Sequence, residues 1–314
     1  APFRSSVQWA QHELGQVATP TRVYHDLQEK AEREYLAPVD LARTSVPAFS
    51  AVFRQVDEYG EPTNHSESDQ RDPLMIPALL TRNGLEQWFL RESGSVTELA
   101  LIDAWVLGRR DNVDFSKADE AELQKGLQTL YAEQYVGAWR QALSRLDLHR
   151  LEDLNHGVRI LESLTSGHKP LAQLLGQIRQ NTRLLPAKEG DEAVARTLLE
   201  QSPHFQMLVE IDHQFADLNE LTRKTGEEPT GLDQIMLVVG DLHEYMRNIH
   251  ESPDQGKAAL AAARARLGLQ GADPIFTLQR MADNQPEPLN RVLGKSANES
   301  WRVLLDQAVA QLGR

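Results

Sequence analysis

The feature that most constrains this chain is the stretch Ser116 to Leu146, SKADEAELQKGLQTLYAEQYVGAWRQALSRL. Its large apolar residues fall at Leu123, Leu127, Leu130, Tyr131, Tyr135, Ala138, Trp139, Ala142 and Leu146. Steps of three and four place them in one stripe of a long α-helix. Ser116, followed three residues later by Asp119, reads as a capping box at its start. A stripe carrying Tyr131, Tyr135 and Trp139 is too apolar to lie in water, so other helices must cover it.

The segments around it read the same way. Residues 1–36 give two short helices split at Thr19-Pro20. Residues 57–73 are polar, turn-rich and nearly free of large apolar groups, which predicts an exposed loop. From Leu74 the chain turns apolar again, and Trp105-Val106-Leu107 fits either a helix or an extended segment. Downstream, Arg150 to Thr165 carries apolar residues at helical steps, and Pro170 sits near the start of the next helix. Ser202-Pro203, Ser252-Pro253 and Asp273-Pro274 repeat a cap-then-proline start. Thr230 opens another helix, and Gly268 and Gly294 lie where helix C-caps belong. A last helix carries Trp301, Leu304, Leu305, Ala308, Val309 and Leu312, a stripe that its own bundle can bury. The expectation is an all-α, multi-helix bundle of about ten to twelve helices, leaving room for a small β element before residue 112. Residues 1–112 would form an N-terminal helical subdomain bearing the exposed loop, and 113–314 a C-terminal bundle.

Composition narrows the function classes. The 314 residues carry 46 acidic against 33 basic side chains, net −13, a balance that repels phosphate backbones and argues against nucleic acid as a general partner. There is no cysteine, so disulfides, thiolate metal sites and a cysteine nucleophile are excluded. No apolar run approaches the ~20 residues of a membrane span, and none reads as a signal peptide. The chain starts at Ala1 rather than Met, as a piece of a longer protein would.

Catalytic patterns are incomplete. His243-Glu244 lacks the second His four residues on, where Arg247 stands. Glu210-Ile211-Asp212-His213 has the Glu-x-x-His spacing of di-iron bundles but no second copy. Gly294-Lys295-Ser296 resembles the end of a phosphate-binding loop, but Leu289 occupies the position of the required glycine. No catalytic residue, metal or cofactor is assigned.

Four ordered stretches resemble one family. Ile76 to Leu85, with Pro77, Thr81, Arg82 and Gly84, is similar to its "P-x-x-Y-T-R-x-G-[YF]" segment. Asp103 to Gly108, with Trp105 and Gly108, is similar to "WVLG". Tyr131, Tyr135 and Trp139 resemble "LY-x-x-DY-[IV]-x-x-W". Lys169, Pro170 and Leu171, followed by Thr182 and Leu184, resemble "SPL…T-x-L". The family is TssM (IcmF-like), the inner-membrane subunit of the type VI secretion membrane complex. Leu80 and Leu85 depart from its usual aromatics, Gln134 from its Asp and Lys169 from its Ser.

The resemblance implies a non-enzymatic scaffold from the periplasmic region, linking inner- and outer-membrane parts and touching other copies of itself. It also implies membrane spans, through which a TssL-like partner is contacted, and a nucleotide-binding domain before Ala1. A β-rich domain binding the TssJ lipoprotein is implied after Arg314. The motif aromatics read as core, and Arg82 as half of a buried ion pair with Asp103 or, one turn along, Glu86. A hydrolase or metal enzyme using His204, His213, His243 or His250 is the alternative from another class, and a generic soluble helical adaptor is a third.

Overall fold

The computed structural model of the protein describes residues 18–33, 37–43, 49–57, 59–63, 74–95, 117–167, 169–224 and 226–313. Asp103, Trp105, Gly108, Ser116, the 112/113 boundary and most of the 57–73 loop lie outside the described residues. Among the described residues the fold is mostly α-helical, with two small two-stranded sheets. It forms two compact units, each drawn from three segments. One comprises Ala1–Val39, Ile76–Arg140 and Asn181–Phe215, and the other Asp40–Met75, Gln141–Gln180 and Ala216–Arg314.

In the first unit, α1 (Thr19–Arg33) buries Val23, Leu27 and Ala31, spaced by four along one face, together with Tyr24. It packs on a 3₁₀ turn, Ala78–Leu80. Arg82–Gly84, the π-helical turn Leu85–Phe89 and Leu90–Glu92 run on as one helix, α2, burying Leu85, Trp88 and Phe89. The long helix α3 (Lys117–Ser144) lies where its stripe predicts, and Leu123, Leu127, Tyr131, Tyr135 and Trp139 are all buried.

The second unit holds the antiparallel pair β2 (Phe53–Gln55) and β4 (Leu146–Leu148), in which Phe53 faces Leu148, Arg54 faces Asp147 and Gln55 faces Leu146. The remaining strands, β1 (Val39–Asp40) and β3 (Met75–Ile76), form the other sheet. β4 corrects two expectations: Leu146 ends no helix, and strand structure is not confined to residues before 112. Leu146, Asp147 and Leu148 are all buried; Leu146 falls four residues after Ala142, in step with the helical stripe, and a three-residue alternation is too short to outweigh it.

Helix α4 (Leu154–Thr165) follows, capped by Asp153, whose carboxylate accepts from the His156 amide. Pro170 opens α5 (Pro170–Thr182) as its spacing predicts. α6 (Ala193–Glu200) and α7 (Phe205–Gln214) belong to the first unit; α7 stops at Phe215, and α8 (Ala216–Glu220) restarts in the second. α9 (Gly231–His250) begins with a full capping box, Thr230 and Asp233 each accepting from the other's backbone amide. Three helices complete the unit: α10 (Gln255–Leu267), α11 (Pro274–Asp283) and α12 (Leu289–Leu312). α12 packs against α4, α10 and α11.

The punctuation holds at Asp273-Pro274, where Asp273 accepts from Phe276, and at Gly268, which is a C-cap. It fails elsewhere. Asp254, not Ser252, caps α10, because its carboxylate reaches the Lys257 amide at 3.0 Å. Ser202 closes a separate turn ahead of α7, its hydroxyl accepting from the His204 amide. Gly294 is no cap, since α12 runs straight through it; a Cβ there would meet Ala282 at an ordinary 3.9 Å. Val309 and Leu312, expected under cover, are exposed.

Candidate functional site

Most of the motif residues meet in the first unit, and their polar atoms are used internally. The turn Ala78–Leu80 would leave carbonyls unpaired inside an apolar core, at a cost of roughly 1–3 kcal/mol each. Three residues of α3 supply donors to backbone carbonyls around it. The Tyr131 hydroxyl donates to Leu79 O at 2.7 Å, and Trp139 Nε1 donates to Leu80 O at 2.9 Å. The Tyr135 hydroxyl donates to Asn181 O at 2.6 Å. The spacing of four that makes a stripe thus aims three polar tips at successive heights along α3. Phe89 of α2 stacks on Tyr131, ring centroids 3.7 Å apart.

Thr81 completes the turn. Its hydroxyl donates to Ala78 O at 2.7 Å and accepts from the Gly84 amide at 3.1 Å, the N-cap bond of α2. At Gly84 a Cβ would stand 2.1 Å from Ala78 O, so only glycine fits. The Arg82 amide donates to Asn181 Oδ1 at 3.1 Å, tying the turn to the end of α5. Asn181 therefore acts twice, once through its side chain and once through its carbonyl. Thr182 and Leu184 beside it are buried, and Asp212 of α7 accepts from the Leu184 and Leu185 amides at 2.9 and 3.1 Å. Pro170 and Leu171 lie in the other unit at the start of α5, with Leu171 buried.

Burial dominates the electrostatics here. It pushes the Tyr131 hydroxyl well above its ordinary range, helped by the nearby Tyr135 and Tyr24. Tyr135 is raised chiefly by burial too, against the opposing effect of Arg82, and Tyr24 likewise against the opposing effect of Gln28. The Arg82 guanidinium meets Glu86 at 2.7 Å, but the two side chains are 42% and 51% exposed. The pair is therefore a surface pair rather than the buried one that the flanking apolar sequence predicts.

Among the described residues, no three histidine or carboxylate side chains stand close enough together to hold a metal ion. His204 Nδ1 lies 3.0 Å from Gln128 Nε2, and burial lowers its pKa. The His250 ring accepts from Gln255 Nε2 at 3.3 Å, and His213 is exposed on α7. His243 titrates lower through burial and then Arg247. Glu210 bonds Gln214 on its own helix. Ser296 donates to Val292 O within α12, and Lys295 is held by Asp147, which Arg54 also meets at 3.6 Å. An open groove of about 570 Å³ runs between α3 and α7, over Ala132, Val136 and Met207, with Lys125, Arg140 and Glu210 on its rim.

Sequence reasoning missed Asn181, Asp212 and Asp147. Each is one ordinary polar residue whose partner is far away in the chain, and no local spacing marks it.

These contacts define a mostly helical domain in which the motif residues are tied into its own core. A family model described as "IcmF-related: Intracellular multiplication and human macrophage-killing" matches residues 2–183. The chain belongs to that family. No curated protein matches it. Among solved structures, a chain of a "Type VI secretion system membrane core complex" is similar, with a TM-score of 0.64 at 15% identity over 95% of this chain. At that identity the likeness is one of fold. It extends past residue 183, and this chain spans about half (52%) of that solved chain.

Proposed function

We propose that this chain is a non-enzymatic structural segment of a type VI secretion membrane complex, the periplasmic part of a TssM-like subunit. Its work is mechanical: it spaces and links the inner-membrane base and the outer-membrane cap, and it touches neighbouring copies of itself. The observation that carries this reading is the fate of the family-motif residues. Tyr131, Tyr135 and Trp139 direct their side-chain donors toward backbone carbonyls, and Thr81 and Gly84 hold the turn they support. Residues used in this way make a stiff joint, and their donors are committed to the fold rather than to a substrate. Family membership and the fold likeness support the same reading. The absence of a helix long and apolar enough to cross a membrane, among the described residues, is compatible with it.

In this reading TssL-like contacts run through membrane spans, and a TssJ-like lipoprotein binds mainly through a β-rich domain, both carried by other parts of the subunit. Calorimetric titration of soluble TssJ lipoprotein tests the division. The 314-residue chain binds it weakly or not at all, while a chain extended through the following domain binds it. Sub-micromolar binding to the shorter chain places the partner site within these helices and overturns the proposed division of labour.

A further inference from the structure

Two exposed apolar surfaces have opposite local charge. The first is the corner between α10 and α11. Leu267 is 74% exposed, Leu269 is 94% exposed, and Phe276, with Arg280 over its ring, is more than half exposed. Arg266 of α10 bonds the α11 cap Asp273 at 2.5 Å, which holds the two helix ends together. Leu269 has φ +54, the left-handed conformation that favours glycine or asparagine, and is fixed there by the Leu269 and Gln270 amides bonding Arg266 O and Ala265 O. This is the ordinary closure of a helix C-terminus, and it leaves the Leu269 side chain in solvent. At the corner itself, residues 264–280 carry Arg264, Arg266 and Arg280 against Asp273, an excess of positive charge in a chain of net −13; farther off, Lys257 is paired with the α10 cap Asp254, and Asp283 ends α11.

The second surface is α6 in the other unit. No residue of α6 is buried, although Val194 and Leu198 stand four apart on one face, 73% and 67% exposed. Its surroundings are acidic: Glu189, Asp191, Glu192 and Glu200 against Lys188 and Arg196.

We infer that the basic apolar corner of one copy docks on the acidic α6 face of a second copy. Each surface offers what the other lacks: leucines and a phenylalanine to cover Val194 and Leu198, and arginines to meet carboxylates. The two patches differ, so the contact is heterologous and propagates from copy to copy, closing into a ring if the rotation permits. Each patch is small beside the ~1,000 Å² expected of a stable pairwise interface. Affinity between free chains is therefore low, and tethering many copies side by side raises it through effective concentration. The inference rests on the reading of this chain as a scaffold that touches its own copies, and it names the surfaces.

The absence of cysteine allows a direct test. The 314-residue chain is made as Leu198→Cys and as Leu269→Cys, both at exposed positions, and the reduced proteins are oxidised with the same oxidant in three samples, each alone and the two mixed. The expected result is a disulfide-linked dimer in the mixture, several-fold above either variant alone. Arg264→Glu in the second variant should lower the yield, and Glu200→Arg in the first should restore it. No mixed product, or equal yields in all three samples, overturns the inference. So does flotation with anionic phospholipid vesicles that Leu269→Asp abolishes without any mixed dimer, because the corner then faces lipid. Sedimentation of the parent chain separates the two levels of failure. Self-association without the mixed dimer rejects these surfaces and leaves the scaffold reading standing. Parent chains that neither associate nor cross-link when tethered at high density reject the self-contacting scaffold as well.

Discussion

Trp139 Nε1 donates to the carbonyl oxygen of Leu80 at 2.9 Å, across 59 residues of sequence, and both residues are buried. The indole therefore fills the core of the first unit and also satisfies a turn carbonyl that water cannot reach. These two contributions are separable by substitution. Trp139→Ala removes both and should cost about 3–5 kcal/mol. Trp139→Phe keeps much of the apolar volume but strands the Leu80 carbonyl, adding a penalty of roughly 1–3 kcal/mol to the packing change. Urea denaturation followed by circular dichroism should rank wild type above Phe and Phe above Ala. Equal midpoints for wild type and Ala would mean that α3 does not hold the fold through this residue.

Two glycines should respond to alanine with opposite signs. Gly84→Ala drives a Cβ to 2.1 Å from Ala78 O, and both positions are backbone, so the turn must move. Gly137 lies exposed in the middle of α3, and a Cβ added there would meet nothing within 4 Å. Alanine at that position should add roughly 0.5–1 kcal/mol of helix stability. Thermal melts of the two variants should shift down and up respectively. A Gly84→Ala protein melting with wild type would show that the turn is not held as described.

For Arg82 the structure revises the magnitude expected from sequence. A buried pair would lose about 3–5 kcal/mol with one partner removed. Arg82 and Glu86 are both substantially exposed, and solvent-screened pairs couple by only about 0.2–1 kcal/mol. The anchoring of this position to Asn181 runs through the Arg82 backbone amide, which Arg82→Ala keeps. A double-mutant cycle of Arg82→Ala with Glu86→Ala should therefore give a small coupling that shrinks further in high salt. Asn181→Ala should cost more than Arg82→Ala. The reverse order would return the weight to the guanidinium.

What was legible in the sequence was what is local. The helix start at Thr230, the Asp273-Pro274 start and the stripe of α3 as far as Ala142 each depend on residues three or four apart, and these appear as read. Ser202 and Ser252 failed because a cap is a competition: Asp254, two residues beyond Ser252, carries the stronger acceptor. Leu146 to Leu148 failed because Leu146 continues the helical spacing of Ala142, and three residues are too few to declare a strand. The carboxylate of Asp147 is held by Lys295, 148 residues away, and Arg82 reaches Asn181 across 99. Neither pairing leaves a trace in spacing. The motif resemblance gathered Tyr131, Tyr135, Trp139, Thr81 and Gly84 before any geometry was known, but not the reason for their company, which lies in the carbonyls of Leu79, Leu80 and Asn181.

The buried tyrosines predict how the fold fails in alkali. Tyr24, Tyr131 and Tyr135 are raised above the ordinary tyrosine value near 10, each mainly by burial, so the folded protein keeps them protonated where the unfolded chain does not. Below pH 10 both states hold these protons and the tyrosines make stability no steeper with pH. Above it the unfolded state binds fewer protons, and stability falls as pH rises, by up to about 1.4 kcal/mol per pH unit for each such tyrosine. The chain has six tyrosines, and Tyr59 is almost fully exposed, which provides an internal contrast. Urea midpoints should be flat in this respect up to pH 10 and fall beyond it. Phenolate absorbance should rise in two stages, the second coinciding with loss of helical circular dichroism. Tyr135→Phe should start from lower stability, having lost its bond to Asn181 O, yet decline less steeply with pH. If all six phenols ionise together while the helices persist, the hydroxyls are in contact with water and the buttress under the Ala78–Leu80 turn is open.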